Sequence, residues 1–277
     1  MGFNTVVRKA VIPVAGLGTR FFPIAKAIPK EMLQVIDRPV IHYIVSEALS
    51  AGIEQIILVN GRNKSSIEDY FDAAYEFKAE RIDKTICSIR QKDALGLGHA
   101  VLCAEHIIGN EPFAILLGDD VILSREGEKP AIQQLIEAFA KTQAAQVAIM
   151  QVPPEDIHKY GIVQGSRGSD TPYLHIEDLV EKPPKGTERS DLAVIGRYVL
   201  PASIWPILKA IKPGHGGEIQ LTDALVRLMR SEGLMGYRFL GQRIDAGDPL
   251  GLVELNLVEA LRRPDLRDGL RMMLARI

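Results

Sequence analysis

The 277-residue chain has only two cysteines, one tryptophan and a formal net charge of -2, and each scarcity closes off a class of function. Cys87 and Cys103 lack metal-ligand spacing and a neighbouring His/Cys cluster, so neither a disulfide framework nor a zinc site is expected, and both read as buried reduced thiols. Basic residues are dispersed rather than gathered into tracts, which leaves no electrostatic footprint for nucleic acid. No apolar run is long enough to cross a bilayer, and no hydrophobic leader precedes a cleavage site, so a cytoplasmic location without a membrane partner is expected. Repeats and low-complexity tracts are also missing. Trp205 sits among apolar residues and reads as core, as do Met272 and Met273.

What is present is a composition, 47% hydrophobic and 25% charged, that suits a large core. Apolar runs at 11–15, 55–60, 85–90, 113–120 and 146–152 are candidate buried strands, separated by helix-like stretches at Val40–Ala51, Ser65–Ala74, Leu97–Ile108 and Ala131–Thr142. Alternation of this kind predicts a parallel sheet covered by helices. After Val152 the pattern breaks at Pro153–Pro154, Tyr160–Gly161, the polar stretch 165–172 and Pro183–Pro184. Strands over 174–180 and 193–200, and helices over 203–211, 221–231 and 250–263, are expected there, forming a lid and side wall of sugar size. The glycines at 214, 216 and 217 read as a loop that helps close the site.

The segment from Ala10 to Leu33 turns a β-branched run into a glycine loop carrying Arg20, Lys26 and Lys30. Gly16 and Gly18 permit a tight turn and close approach of backbone N–H groups to an anion, and the cations neutralise phosphate charge, which points to a nucleotide. An ordinary strand-to-loop turn is the alternative. The dinucleotide fingerprint fails because Phe21 stands at the third glycine position and Pro23 and Pro29 oppose a helix. A P-loop fails for want of Gly-Lys-Ser/Thr.

Three further clusters fall at predicted strand ends, where open parallel sheets gather their ligands. Gln91 with the A-L-G-L-G-H-A run suits a base: the amide reads an edge, and Gly96 lets a planar ring approach, unless the run is merely a helix-entry turn. Asp119 and Asp120 follow an apolar strand and offer hard oxygens to a divalent cation, with Asp245 of R-I-D-A-G-D as the second carboxylate; capping or turn formation is the competing role. Glu181 and Lys182 are adjacent in V-E-K-P, and extended geometry predicts opposite faces, with Glu181 toward sugar hydroxyls and Lys182 toward phosphate, unless they form a surface ion pair.

In order, G-L-G-T-R-x-x-P-x-x-K-x-x-P-K-E-M-L, R-Q…G-L-G-H-A, G-D-D, Y-G-I-V, V-E-K-P, I-G-R-Y-V-L and E-I-Q-L-T-D-A resemble the bacterial UTP:glucose-1-phosphate uridylyltransferases across roughly residues 6–260. The resemblance implies an α/β, Rossmann-like nucleotidyltransferase fold with a mostly parallel central sheet. It also implies one domain, with a nucleotide-binding half at about 6–152 and sugar-binding and C-terminal elements at about 153–277. The implied reaction is magnesium-dependent, from UTP and glucose 1-phosphate to UDP-glucose and pyrophosphate, in a homo-oligomer, a dimer or tetramer.

By matching position, the resemblance gives the backbone of Ala15, Gly16 and Gly18 to the nucleotide, and Arg20 and Lys26 to the triphosphate. Gln91 and Gly96 go to uracil, Asp119 and Asp245 to Mg2+, and Asp120 to metal or ribose. Gly161, Glu181 and Gly196 line the glucose pocket, and Lys182 holds the sugar phosphate. Whether Asp119 or Asp120 is the principal ligand stays open. Ala25 replaces the Thr of many relatives, and the C-terminal portion is brief. Glucose-1-phosphate thymidylyltransferase, a silent sugar-nucleotide sensor and an NAD-dependent dehydrogenase are the competing readings. The last is disfavoured by the missing third glycine.

Overall fold

The computed structural model describes residues 6–72, 86–167, 171–214 and 217–276. The expected strand start at Thr85, the helix end at Ala74, positions 168–170 of the polar stretch and Gly216 of the glycine cluster lie outside the described residues.

The strands are β1 (Lys9–Pro13), β2 (Gln34–Val35), β3 (Arg38–Pro39), β4 (Gln55–Asn60), β5 (Ile86–Arg90), β6 (Phe113–Leu116), β7 (Asp120–Leu123), β8 (Ala145–Gln151), β9 (Gly161–Arg167), β10 (Tyr173–Glu181), β11 (Leu192–Leu200), β12 (Leu234–Arg238) and β13 (Gln242–Asp245). The helices are α1 (Val40–Ser50), α2 (Ser65–Phe71), α3 (Leu97–Cys103), α4 (Glu105–Ile108), α5 (Ala131–Thr142), α6 (Ile204–Ala210), α7 (Leu221–Glu232), α8 (Pro249–Arg262) and α9 (Pro264–Leu274).

The main sheet runs β5-β4-β1-β6-β11-β8-β12-β10-β9. Its first four strands are parallel, as the alternation of apolar runs and helices predicts. Beyond them the sheet is mixed: β11 inserts antiparallel between β6 and β8, and β10 pairs antiparallel with both β12 and β9. Buried residues run almost continuously through Leu192–Leu200, which suits a strand flanked on both sides.

Helices cover both faces. Val11 of β1 joins one apolar cluster with Val101, Leu208 and Leu225, while Ile12 faces the other with Ile41, Ile44 and Leu135. The buried positions of α5 and α7 recur every three or four residues, and the two helices stop at Gln143 (φ 56°) and Gly233 (φ 89°), both in positive-φ conformations. Trp205 is indeed core: its ring stacks on Phe113 at 4.5 Å, and its Nε1 donates to the Gly109 carbonyl at 3.0 Å. Burial of a side chain such as Phe113 contributes about 1.5–3 kcal/mol.

Several expectations need correction. The helix expected over 97–108 breaks at Ala104 into α3 and α4. The strand expected over 113–120 ends at Leu116, because the chain turns through Gly118 and Asp119 into β7, which pairs with β13 outside the main sheet. A Cβ at Gly118 would lie 3.0 Å from Val14 Cγ1 and 3.3 Å from Pro13 O, so glycine suits this close approach to the end of β1. Met272 and Met273 are exposed on α9, none of whose residues is buried. Cys87 and Cys103 are free but half-buried, and burial pushes both thiols up.

Candidate active site

The carboxyl ends of β1, β5 and β6 open onto a cavity of about 590 Å³ whose lining includes the glycine loop, Gln91 and the turn before β7. Val14 extends the β1 ladder by donating to Val59 O at 2.9 Å, after which the amides of residues 15–18 donate to no protein acceptor among the described residues. Gly18 is left-handed (φ 65°), and single turns of 3-10 helix follow at Thr19–Phe21, Ile24–Lys26 and Lys30–Met32. The prolines thus prevent a continuous helix, as expected. Free amides and spaced cations make the loop an anion receptor.

These turns distribute the cations unequally. Arg20 and Lys26 are both exposed and neither borders the cavity, whereas Lys30 does and forms an ion pair with Asp119. Burial lowers the Lys30 pKa, but the charges of Asp119 and Glu31 outweigh it, so the ammonium titrates above its ordinary value. The structure therefore puts Lys30 rather than Lys26 on the cavity wall. The separation of ten residues from Arg20 through three short turns was the available signal.

The two adjacent acids separate sharply. Asp120 is buried outside the cavity lining, with Oδ2 accepting from Gly196 N at 2.9 Å and Oδ1 from Arg243 Nε at 2.7 Å. Asp119 faces the cavity. At Gly247 a Cβ would lie 2.7 Å from Asp119 Oδ2, 2.8 Å from Arg20 Nη2 and 2.9 Å from Asp245 Oδ1. Asp245 does not line the cavity, and its Oδ1 accepts from Gly247 N at 2.9 Å while its Oδ2 pairs with Arg243 at 3.3 Å; the lone pairs left on it and on Asp119 suit a divalent cation whose other positions go to phosphate and water. No cluster of three metal-binding side chains exists among the described residues, so a closed protein cage is not what this site offers. Burial opposes the Asp119 charge, yet Lys30 and then Arg20 hold its carboxyl below the usual range. Burial also raises Asp245; Arg243 counters it, while Asp120 and Asp119 add repulsion that a bound cation would relieve.

Gly196 does not line the cavity, contrary to expectation. It sits at a register shift between β11 and β8, and a Cβ there would approach Leu117 Cβ at 2.8 Å. The next residue, Arg197, is fully buried: Nη2 donates to Asp120 O and to Glu47 Oε2, each at 2.7 Å. Breaking one side of such a buried pair costs about 3–5 kcal/mol. Gly196 and Arg197 therefore brace the Asp119 turn from behind, while Tyr198 of the same segment borders the cavity.

At the far end, Gln91 Nε2 donates to Gly96 O at 3.1 Å and lies 2.9 Å from His99 Nδ1, which pins the amide and leaves Oε1 as acceptor. Gly96 (φ 91°) has no room for a side chain, since a Cβ would meet Ile219 O at 2.9 Å. The E-I-Q-L-T-D segment thus closes this end, and Glu218, Gln220 and Thr222 join the lining without having been singled out from sequence. Their clustering at the entry to α7 was the signal. Thr222 Oγ1 donates to Glu181 Oε2 at 2.7 Å, and Gly161 borders the same carboxylate. Lys182 departs from strand alternation with φ 44°, so Glu181 and Lys182 line one cavity, Nζ to Oε1 3.5 Å, instead of facing opposite ways.

A loop of free amides, a pinned amide and the Asp119 and Glu181 carboxylates around one cavity suit a nucleotide-handling centre, and the Nucleotidyl transferase family profile matches residues 9–259. The chain belongs to this family, whose enzymes typically use a divalent metal. Among curated relatives, the UTP–glucose-1-phosphate uridylyltransferase YngB of Bacillus subtilis is 49% identical over 95% of this chain and 93% of its own length. A second UTP–glucose-1-phosphate uridylyltransferase of that organism is 45% identical over 95% and 94%. Among solved structures, a UDP-glucose pyrophosphorylase complexed with UDP-glucose superposes with a TM-score of 0.87 at 42% identity, covering 93% of this chain and 100% of that one. A UTP-bound enzyme of the same name from Acinetobacter baumannii gives 0.87 at 39%, covering 98% and 99%.

Proposed function

We propose that the protein transfers a uridylyl group from UTP to glucose 1-phosphate, giving UDP-glucose and pyrophosphate. One observation carries the reading: the free amides of the glycine loop, Lys30, Asp119, Gln91 and the Glu181–Lys182 turn all border one cavity of about 590 Å³, within the size range of small-molecule sites. Gln91 Oε1 accepts from the uracil imide N–H, with Gly96 beneath the ring. The amides of Ala15, Gly16 and Gly18 receive the triphosphate, and Arg20 and Lys30 stabilise departing pyrophosphate. Glu181, fixed by Thr222, accepts from glucose hydroxyls beside the Gly161 backbone.

The sugar phosphate is already an anion at neutral pH, so no residue needs to remove a proton. The barrier is repulsion between two anions, and the protein lowers it by fixing them in line and surrounding the transferring group with positive charge. Lys182 holds the nucleophilic phosphate, and direct displacement follows without a covalent enzyme intermediate. Asp119 and Asp245 hold a divalent ion, which we assign as Mg2+; when bound, it supplies charge neutralisation at the phosphate oxygens. A cytoplasmic homo-oligomer, dimer or tetramer, completes the proposal, supported by exposed Leu250 and Val253 on α8 and Met272 and Met273 on α9.

Pyrophosphate release from glucose 1-phosphate, measured across UTP, dTTP, ATP, GTP and CTP with and without MgCl2, tests the reading. Fastest turnover with UTP, dependent on the ion, is expected. Preference for dTTP, or tight UDP-glucose binding without turnover, would overturn it.

A further inference from the structure

Lys64 is the buried lysine of the described residues, 7% exposed, and the mechanism above gives it no task. It stands in the turn between β4 and α2, where Asn63 is left-handed (φ 61°) and Asn60 Nδ2 donates to the Lys64 carbonyl at 3.1 Å. Its side chain runs beneath the glycine loop instead of outward. Nζ donates to Val14 O at 2.5 Å and to Glu31 Oε2 at 2.8 Å, and Glu31 is 1% exposed. Removing two charges from water costs several kcal/mol per ion before their attraction offsets it, so apolar side chains would fill this space more simply.

Both partners lead to the phosphate end of the cavity. Val14 precedes the loop, and in a trans peptide the carbonyl and the following N–H point in opposite directions. With the Val14 carbonyl drawn inward by Lys64, the Ala15 N–H is turned toward the cavity that Ala15 lines. Glu31 shares its 3-10 turn with Lys30, and it packs against the Asp119 turn: a Cβ at Gly118 would lie 3.5 Å from Glu31 Cγ. Burial holds the Glu31 carboxyl above its ordinary value and the Lys64 ammonium below its own, each partly offset by the charge of the other.

We propose that Lys64 and Glu31 are a positioning pair for the nucleotide's phosphates: the ammonium aims the Ala15 amide, and the carboxylate it grips fixes the turn that presents Lys30. This role presupposes the nucleotide site proposed above and adds the residues that orient its phosphate end, while leaving the sugar end independent of them.

The test compares Lys64→Met, which strands a buried carboxylate, with Lys64→Met/Glu31→Leu, which removes both charges and fills the space with apolar side chains. Titration calorimetry with UTP alone, where no turnover occurs, reads the phosphate end, and KM for glucose 1-phosphate reads the other. In the double variant the melting temperature is expected to stay near wild type. Its Kd for UTP should rise about ten-fold, the value of a hydrogen bond to a charged group, with KM for glucose 1-phosphate changed less than about two-fold. A merely structural pair would give the opposite, and a folded double variant with wild-type UTP affinity would overturn the proposal. Failure of the wild-type chain to bind UTP would overturn the uridylyl reading itself, so the two failures are distinct.

Discussion

Two of the lysines that border the cavity, Lys30 and Lys182, are held in opposite ways. Lys30, with a side chain 16% exposed, is gripped by Asp119 and backed by Glu31. Lys182, 61% exposed, has Glu181 at 3.5 Å, and its direction comes from the backbone: its amide donates to Tyr160 O at 3.0 Å, and its φ of 44° is one that L-residues adopt at a cost of about 1–2 kcal/mol. The nucleotide wall is thus organised by the protein's own buried charges on parallel strand ends. The sugar wall is aimed by a strained turn at the end of an antiparallel strand, with its cation left open to a ligand.

If this contrast is correct, each wall breaks in its own way. The largest effect is expected at their junction, where Asp245→Ala should reduce turnover to background and abolish the response to added Mg2+; an unchanged metal titration would remove Asp245 from the site. Lys182→Ala should lower kcat about 10³-fold, as expected for a charge aimed at a transferring phosphoryl group, while leaving the melting temperature unchanged because the side chain is mostly solvated. Near-normal turnover would refute that role.

Lys30→Met should differ by affecting both properties. A fall of about 10²-fold in turnover is expected for one lost transition-state donor, together with lower stability, because Asp119 loses its partner. Asp119 titrates below its ordinary value, so its pairing contributes stability above the carboxylate range that is lost as pH falls through the lowered folded pKa. The melting difference between wild type and Lys30→Met should therefore narrow on acidification; a gap independent of pH would break the link to Asp119. A smaller effect belongs to Gln91→Ala, which should reduce discrimination of uracil from other bases by about ten-fold, the worth of a directed hydrogen bond, and unaltered nucleotide preference would reject it.

The same contrast explains what could be read along the chain. β1, β4, β6 and β8 are mainly apolar runs, and a strand flanked on both sides and covered on both faces announces itself by composition alone. β7 and β13 are four-residue strands that pair only with each other, β9 and β12 carry internal glycines, and nothing local in such segments specifies a distant partner. In the site, residue types at strand ends pointed to the cavity, but their directions depended on geometry that no spacing encodes. Asp119 and Asp120 diverge because Gly196 N–H and Arg243, far along the chain, claim the second acid. Glu181 and Lys182 converge because one residue leaves the extended conformation.

Lys26 supplies the smallest expected effect and the sharpest control. It closes the turn Ile24–Lys26 and is solvated, while the next turn carries Lys30 beside Gly16 and Gly18, where Cβ atoms would lie 3.9 Å from Lys30 Cε and 3.3 Å from Lys30 Cβ. A surface charge beyond the cavity is screened by water and salt, so Lys26→Ala should change kcat and KM for UTP by less than about two-fold. Equal losses at Lys26 and Lys30 would mean that the loop closes on the triphosphate and brings the outer cation inward. In that case the nucleotide wall would be no more preformed than the sugar wall, and the distinction between a wall built by buried charge and one completed by substrate would fall.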